Sequence, residues 1–189
     1  SNGTCVCNSG GWTDCNNSWA DGCEINVLTD ATNCGTCDND CGQHTICNNG
    51  SCACVNSDWG NCSGGWADGC ETDLRVTDAH CGSCGFDCDQ HAYCSGSTCH
   101  CDDGWGNCLN GWNDGCEQTL TTLQHCGSCN TPCSRAHATA SCSSGSCQIA
   151  SCDTNWDDCN STDSDGCETS LETTSDCGSC GTSCSRAHA

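Results

Sequence analysis

The stretch WADGCE runs from Trp19 to Glu24 and returns unchanged from Trp66 to Glu71, then as WNDGCE from Trp112 to Glu117 and as DSDGCE from Asp163 to Glu168. A phrase that returns at a fixed period marks a chain of tandem units, each too small to bury a core alone. Aligned on cysteines, the units begin at Cys5, Cys52, Cys99 and Cys147, a period of 47, 47 and 48 residues. The spacing predicts four repeats, 1–51, 52–98, 99–146 and 147–189, the last reaching Ala189 before its eighth cysteine.

The first repeat carries Cys5, Cys7, Cys15, Cys23, Cys34, Cys37, Cys41 and Cys47, and the second carries Cys52, Cys54, Cys62, Cys70, Cys81, Cys84, Cys88 and Cys94 at identical spacings. The third has Cys99, Cys101, Cys108, Cys116, Cys126, Cys129, Cys133 and Cys142, with its last interval three residues longer. The fourth supplies Cys147, Cys152, Cys159, Cys167, Cys177, Cys180 and Cys184. With 31 Cys in 189 residues, the chain exceeds the roughly 8–10% cysteine that marks a disulfide scaffold. Eight cysteines allow on the order of a hundred pairings, among which spacing does not choose. Pairing within a repeat or between neighbours is expected.

The remaining composition says why bridges are needed. There is one Phe, one Tyr and no Met, and the aliphatic residues are scattered, so disulfides must replace an apolar core. Such thiol density persists as disulfides outside the reducing cytosol, which predicts an extracellular or cell-surface protein. No apolar run reaches spanning length, so no membrane insertion is expected. The start at Ser1, without Met, is read as a removed leader or a segment of something longer. A net charge of −22, from 25 acidic residues against three basic ones, argues against nucleic-acid or anionic-lipid partners.

Read physically, Asp21-Gly-Cys-Glu24 has the form of a capping box, in which a short helix follows and carries Leu28, Leu74, Leu120 or Leu171 inward. The β-branched and Thr-rich residues that come next suit a short strand equally well. The tryptophans fall into two series, Trp12, Trp59, Trp105 and Trp156 before the third cysteine and Trp19, Trp66 and Trp112 before the fourth. In so poor a core they are expected to pack over disulfides or between repeats, with exposed rings for sugar as the sharper alternative.

Little here predicts chemistry. CGTC at Cys34 and CGSC at Cys81, Cys126 and Cys177 resemble redox or zinc motifs, but they sit in Gly-rich turns and an even count per repeat leaves no spare thiolate. His80 and His125 precede two of these motifs while Asn33 and Asp176 hold the place in the others, and His137 and His188 belong to a repeated SRAHA phrase. No catalytic residues and no cofactor are predicted, and the chain is not expected to be an enzyme. Calcium is the one ion with candidate ligands, Asp163 and Asp165, in a fragment without the full ligand spacing of a calcium loop. N-x-S/T sequons at Asn2, Asn16, Asn49, Asn61 and Asn160 lie in predicted loops and are candidate glycosylation sites.

The combination DGCExxL, then HCGSC, then CSRAHATASCSSGSC resembles the cysteine-rich tandem repeats of large predicted secreted or surface proteins of myxobacteria and related bacteria. The C-x-C and GW phrases also look like EGF modules, which carry six cysteines rather than eight. The resemblance implies an extracellular repeat protein and no particular activity. The expected fold is therefore a set of small disulfide-rich tandem repeats, mostly irregular, with short strands or single helical turns, forming an elongated rod. The expected role is a structural fibre or surface stalk, a glycoprotein whose partners are copies of itself. The alternative is an adhesin region that binds glycans or calcium.

Overall fold

A computed structural model describes residues 6–7, 10–18 and 20–185. Its regular structure consists of short antiparallel strand pairs and, among the described residues, one 3₁₀ turn at Asp78–His80. Fifteen disulfides hold the described chain together. No helix follows the DGCE phrase. The expected fold class, small, disulfide-rich and mostly irregular, is what the chain adopts.

Two kinds of strand pair alternate. In the first, a Trp-containing strand meets the strand just after DGCE: β1 (Trp12–Thr13) with β2 (Ile25–Asn26), β5 (Trp59–Gly60) with β6 (Thr72–Asp73), β9 (Trp105–Gly106) with β10 (Gln118–Thr119), and β13 (Trp156–Asp157) with β14 (Thr169–Ser170). The second kind is a hairpin: β3 (Thr45–Asn48) with β4 (Ser51–Cys54), β7 (Ala92–Ser95) with β8 (Thr98–Cys101), and β11 (Ala138–Ser143) with β12 (Ser146–Cys152). Each hairpin turns on two residues of positive φ, Asn49-Gly50, Gly96-Ser97 and Ser144-Gly145, the backbone a tight two-residue hairpin requires. The three residues gained between Cys133 and Cys142 are matched by three gained between Cys147 and Cys152. The insertion therefore lengthens both strands of β11·β12 and leaves Cys142 opposite Cys147, as Cys47 is opposite Cys52.

The disulfides follow one rule. Counting from Cys7, the first cysteine bonds the third (Cys7–Cys23), the second the fifth (Cys15–Cys37), the fourth the seventh (Cys34–Cys47) and the sixth the eighth (Cys41–Cys52). The same order returns from Cys54 to Cys99 and from Cys101 to Cys147. In the fourth module Cys152–Cys167 and Cys159–Cys180 keep the rule, while Cys177 bonds Cys184. Cys177 and Cys184 hold the places of Cys34 and Cys41. Cys5 lies outside the described residues.

The interior is largely sulfur. Cys41, Cys70, Cys88, Cys116 and Cys167 are fully buried, whereas Val27 and Leu74, each 7% exposed, are the only buried aliphatic side chains among the described residues. Val27, not Leu28, takes the place of Leu74: its amide bonds the Gly11 carbonyl as that of Leu74 bonds Asp58, and its carbonyl accepts from Gly35 as that of Leu74 accepts from Gly82. Contacts divide the chain into two compact units, Ser1–His100 and Cys101–Ala189.

Candidate functional site: the junction between modules

The Asp and Glu of the repeated phrase act backwards along the chain. Glu71 Oε1 accepts the amides of Cys62 and Ser63 at 2.9 and 2.8 Å, and Glu117 Oε1 accepts those of Cys108 and Leu109 at 2.9 and 3.0 Å. Glu24 binds the amides of Cys15 and Asn16, and Glu168 that of Cys159. Each carboxylate thus closes the loop before it, eight or nine residues upstream. That geometry replaces the capping box, whose glutamate reaches back three residues, and it leaves the following residues free to pair as strands. Backbone amide donors hold the Glu71 carboxyl below its ordinary value. The Asp21 and Asp165 carboxylates close the same loop by accepting from the amides of Asn16 and Asn160, both at 2.9 Å, and the Asn16 bond is the main cause of the lowered Asp21 pKa.

At Gly69 and at Gly166, the glycine of the phrase is where one module touches the one before it. Within the first unit, Gly69 bridges Gln43, and the Cys70 amide donates to the Gln43 carbonyl at 2.8 Å. A β-carbon on Gly69 would stand 2.7 Å from the Gly42 carbonyl carbon. Within the second unit the Cys167 amide donates to the Ala136 carbonyl at 2.9 Å, and a β-carbon on Gly166 would stand 2.6 Å from the Ala136 nitrogen. Any side chain would push the two backbones apart, and both glycines also have positive φ.

A histidine completes each contact. His44 lies flat on Trp59, with ring centroids 3.5 Å apart and planes 9° from parallel, and His137 lies on Trp156 at 3.5 Å and 2°. Both histidines have positive φ, 53° and 49°, and each imidazole lies on the tryptophan of the following module. Stacked rings at this distance contribute about 0.5–1.5 kcal/mol beyond burial. Packing between neighbouring repeats was the expectation for this tryptophan series, but the histidine partner was not foreseen. Its signal is present in the sequence as CGQH at Cys41, CDQH at Cys88 and CSRAH at Cys133 and Cys184.

The other sequence candidates scatter. The CGxC cysteines bond elsewhere, Cys34 to Cys47 and Cys37 to Cys15, Cys81 to Cys94 and Cys84 to Cys62. The motif's glycine instead lets the loop lie against the hairpin turn, since a β-carbon on Gly35 would stand 2.6 Å from the Gly50 carbonyl oxygen. Sulfurs of Cys34, Cys41 and Cys52, and of Cys81, Cys88 and Cys94, cluster within 4.8 Å, as do ligand atoms of Asp157, Cys159 and Cys180. All of these sulfurs are in disulfides and offer no thiolate.

Of the calcium candidates, Asp165 is engaged with Asn160 and Asp163 is exposed beside it. Among the sequons, Asn16 and Asn160 spend their side-chain amides on Asp21 and Asp165, and Asn61 Oδ1 accepts from the Gly64 amide. Asn49 is exposed at a hairpin turn. Trp66 is 38% exposed and Trp112 half-buried, while Trp19 and Asn2 lie outside the described residues. No helix among the described residues is long and apolar enough to cross a membrane. No known family, curated protein or solved structure matches the chain.

Proposed function

We propose that the chain is a structural element of an extracellular fibre or surface stalk, without catalytic function, adding copies of itself head to tail and carrying glycans. The supporting observation is the junction: the same contact, a glycine under a passing backbone with a histidine on a tryptophan, serves at Gly69 with Trp59 and again at Gly166 with Trp156. A contact between the tail of one unit and the head of the next is heterologous, and repeated without closing it makes an open filament. Fifteen disulfides fit an oxidising extracellular setting. Asn49 is the first glycan candidate, because it stands exposed with no side-chain hydrogen bond among the described residues.

Electron microscopy of native material tests the reading. Filaments of uniform width are the expected result, and discrete single particles would remove it. An adhesin reading draws on a different observation, an open cleft of about 500 Å³ lined by Asp103, Leu120, Thr121 and Ser144, together with exposed Trp66. A glycan array with the oxidised chain separates the two readings.

A further inference from the structure

The hairpin of the third module is longer than those of the first two and is built from an uncharged stretch. β11 and β12 run six and seven residues, where β3, β4, β7 and β8 run four each. No Asp or Glu occurs between Glu117 and Asp153, although the chain carries 25 acidic residues and a net charge of −22. Two copies of so acidic a chain repel one another over most of their surface, and least here.

A two-stranded sheet has two edges, each a row of amides and carbonyls able to pair with another strand. The β12 edge is covered, because Arg135 Nη2 donates to the Cys147 carbonyl at 2.8 Å. The β11 edge is open, and the second module shows what closing it takes. There Cys94, two places before the Gly96-Ser97 turn, donates its amide to Asp78 Oδ1 at 2.7 Å. Cys142 stands in the same position in β11, two places before Ser144-Gly145. Leu123 replaces Asp78, since its carbonyl accepts the Cys133 amide at 2.7 Å as that of Asp78 accepts the Cys88 amide at 3.0 Å. A leucine side chain offers the Cys142 amide no acceptor, and this one is left 46% exposed. In the first module Ala31 has this place, but β3 is shorter and Asp30, Asp38 and Asp40 lie in the adjoining loop.

We propose that the β11 edge pairs with the β11 edge of a second copy, antiparallel along Ala140–Ser143, with the two Cys142 amides donating across the join and the two Leu123 side chains buried beside it. The bulge between Thr139 and Ala140 bends the strand and sets the limit of the pairing. A second copy is the occupant because the edge is complementary to itself: it presents backbone donors and acceptors together, and it is the part of the surface where like charge does not oppose contact between two such chains. An isologous contact of this form closes at two copies. It ties two chains side by side and does not lengthen either, so it is independent of head-to-tail growth.

Sedimentation velocity of the oxidised chain and amide exchange followed by NMR over a range of concentrations test this together. Wild type should form reversible pairs as concentration rises, and exchange at the Cys142 amide should slow with them. The Cys94 amide, already taken by Asp78, should not respond. Leu123→Asp supplies the carboxylate that the second module already accommodates, and it should raise the dissociation constant of the pair about tenfold or more. Its disulfide map and denaturant midpoint should match wild type, which separates lost pairing from misfolding. A wild type whose Cys142 exchange is the same at every concentration would overturn the proposal with no variant needed, and so would a Leu123→Asp chain that pairs like wild type. Association with unchanged Cys142 exchange would remove this edge and leave head-to-tail growth standing. Pairing at Cys142 without longer species would do the reverse.

Discussion

Gly166 lies directly beneath the backbone of Ala136, whose carbonyl accepts the neighbouring Cys167 amide at 2.9 Å. Gly166→Ala must therefore separate the third and fourth modules or strain them. The expected cost is about 2–4 kcal/mol, the left-handed backbone term and the overpacking term together. Hydrogen exchange at Cys167 should accelerate with it. Gly64→Ala is the control: its φ is 83° but nothing lies within 4 Å, so only the backbone term of about 1–2 kcal/mol is expected. Equal effects at both sites would show that the close approach contributes nothing.

Glu117 makes a second test, of the loop rather than the junction. Its Oε1 accepts two amides, so Glu117→Ala leaves both donors to find water or go unpaired, at a cost of about 1–3 kcal/mol. Glu117→Gln keeps the acceptor oxygen and should fall between. Denaturant unfolding of the oxidised variants measures this, and identical stability for Gln and Ala would mean that the amides are not held by this side chain.

Much of this arrangement is readable in the sequence, and what is missed has a physical reason. Cysteine count and period point to disulfide-stapled repeats because no other source of stability is present. DGCE reads as a helix start because the local pattern is that of a capping box; the structure uses the same glutamate for amides eight and nine residues upstream, a contact that local spacing does not reveal. The pairing of Cys41 with Cys52 depends on where the hairpin folds, which is fixed by positive φ at Asn49 and Gly50. His44 and His137 are missed because their loops differ by one residue, so the histidines do not align by number although both reach a tryptophan.

The CGxC cysteines supply the third prediction. Peptide mapping of the oxidised chain should join Cys34 to Cys47 and Cys37 to Cys15, and peptides linking Cys34 with Cys37 would contradict the fold. Replacing Cys54 and Cys70 together by Ala removes a bridge of sequence separation 16, at about 3 kcal/mol. Exchange protection should fall around Cys62 and Cys81, in the module that this bridge closes.

The last prediction concerns Asp73 and Arg75. The guanidinium Nε and Nη2 donate to the two carboxylate oxygens at 2.9 and 2.8 Å, and the Arg75 amide adds a third bond at 3.0 Å. This pairing, side-chain bonding first, lowers the Asp73 pKa from 3.8 to about 2. The sign follows from linkage: a carboxyl whose folded pKa lies below its unfolded value adds stability above that unfolded value, and the contribution is lost as pH falls towards the folded one. The window is therefore from about 4 down to about 2, and neutral pH lies outside it. Arg75 is exposed and Asp73 half-buried at the surface, so solvent screens the pair and the effect on global unfolding should be small. Carbon-detected NMR of the Asp73 carboxyl gives a direct readout. In the oxidised chain it should titrate near 2, and in Arg75→Ala it should move up towards 3.8. An unchanged titration in the variant would assign the depression to the backbone amide and not to the guanidinium.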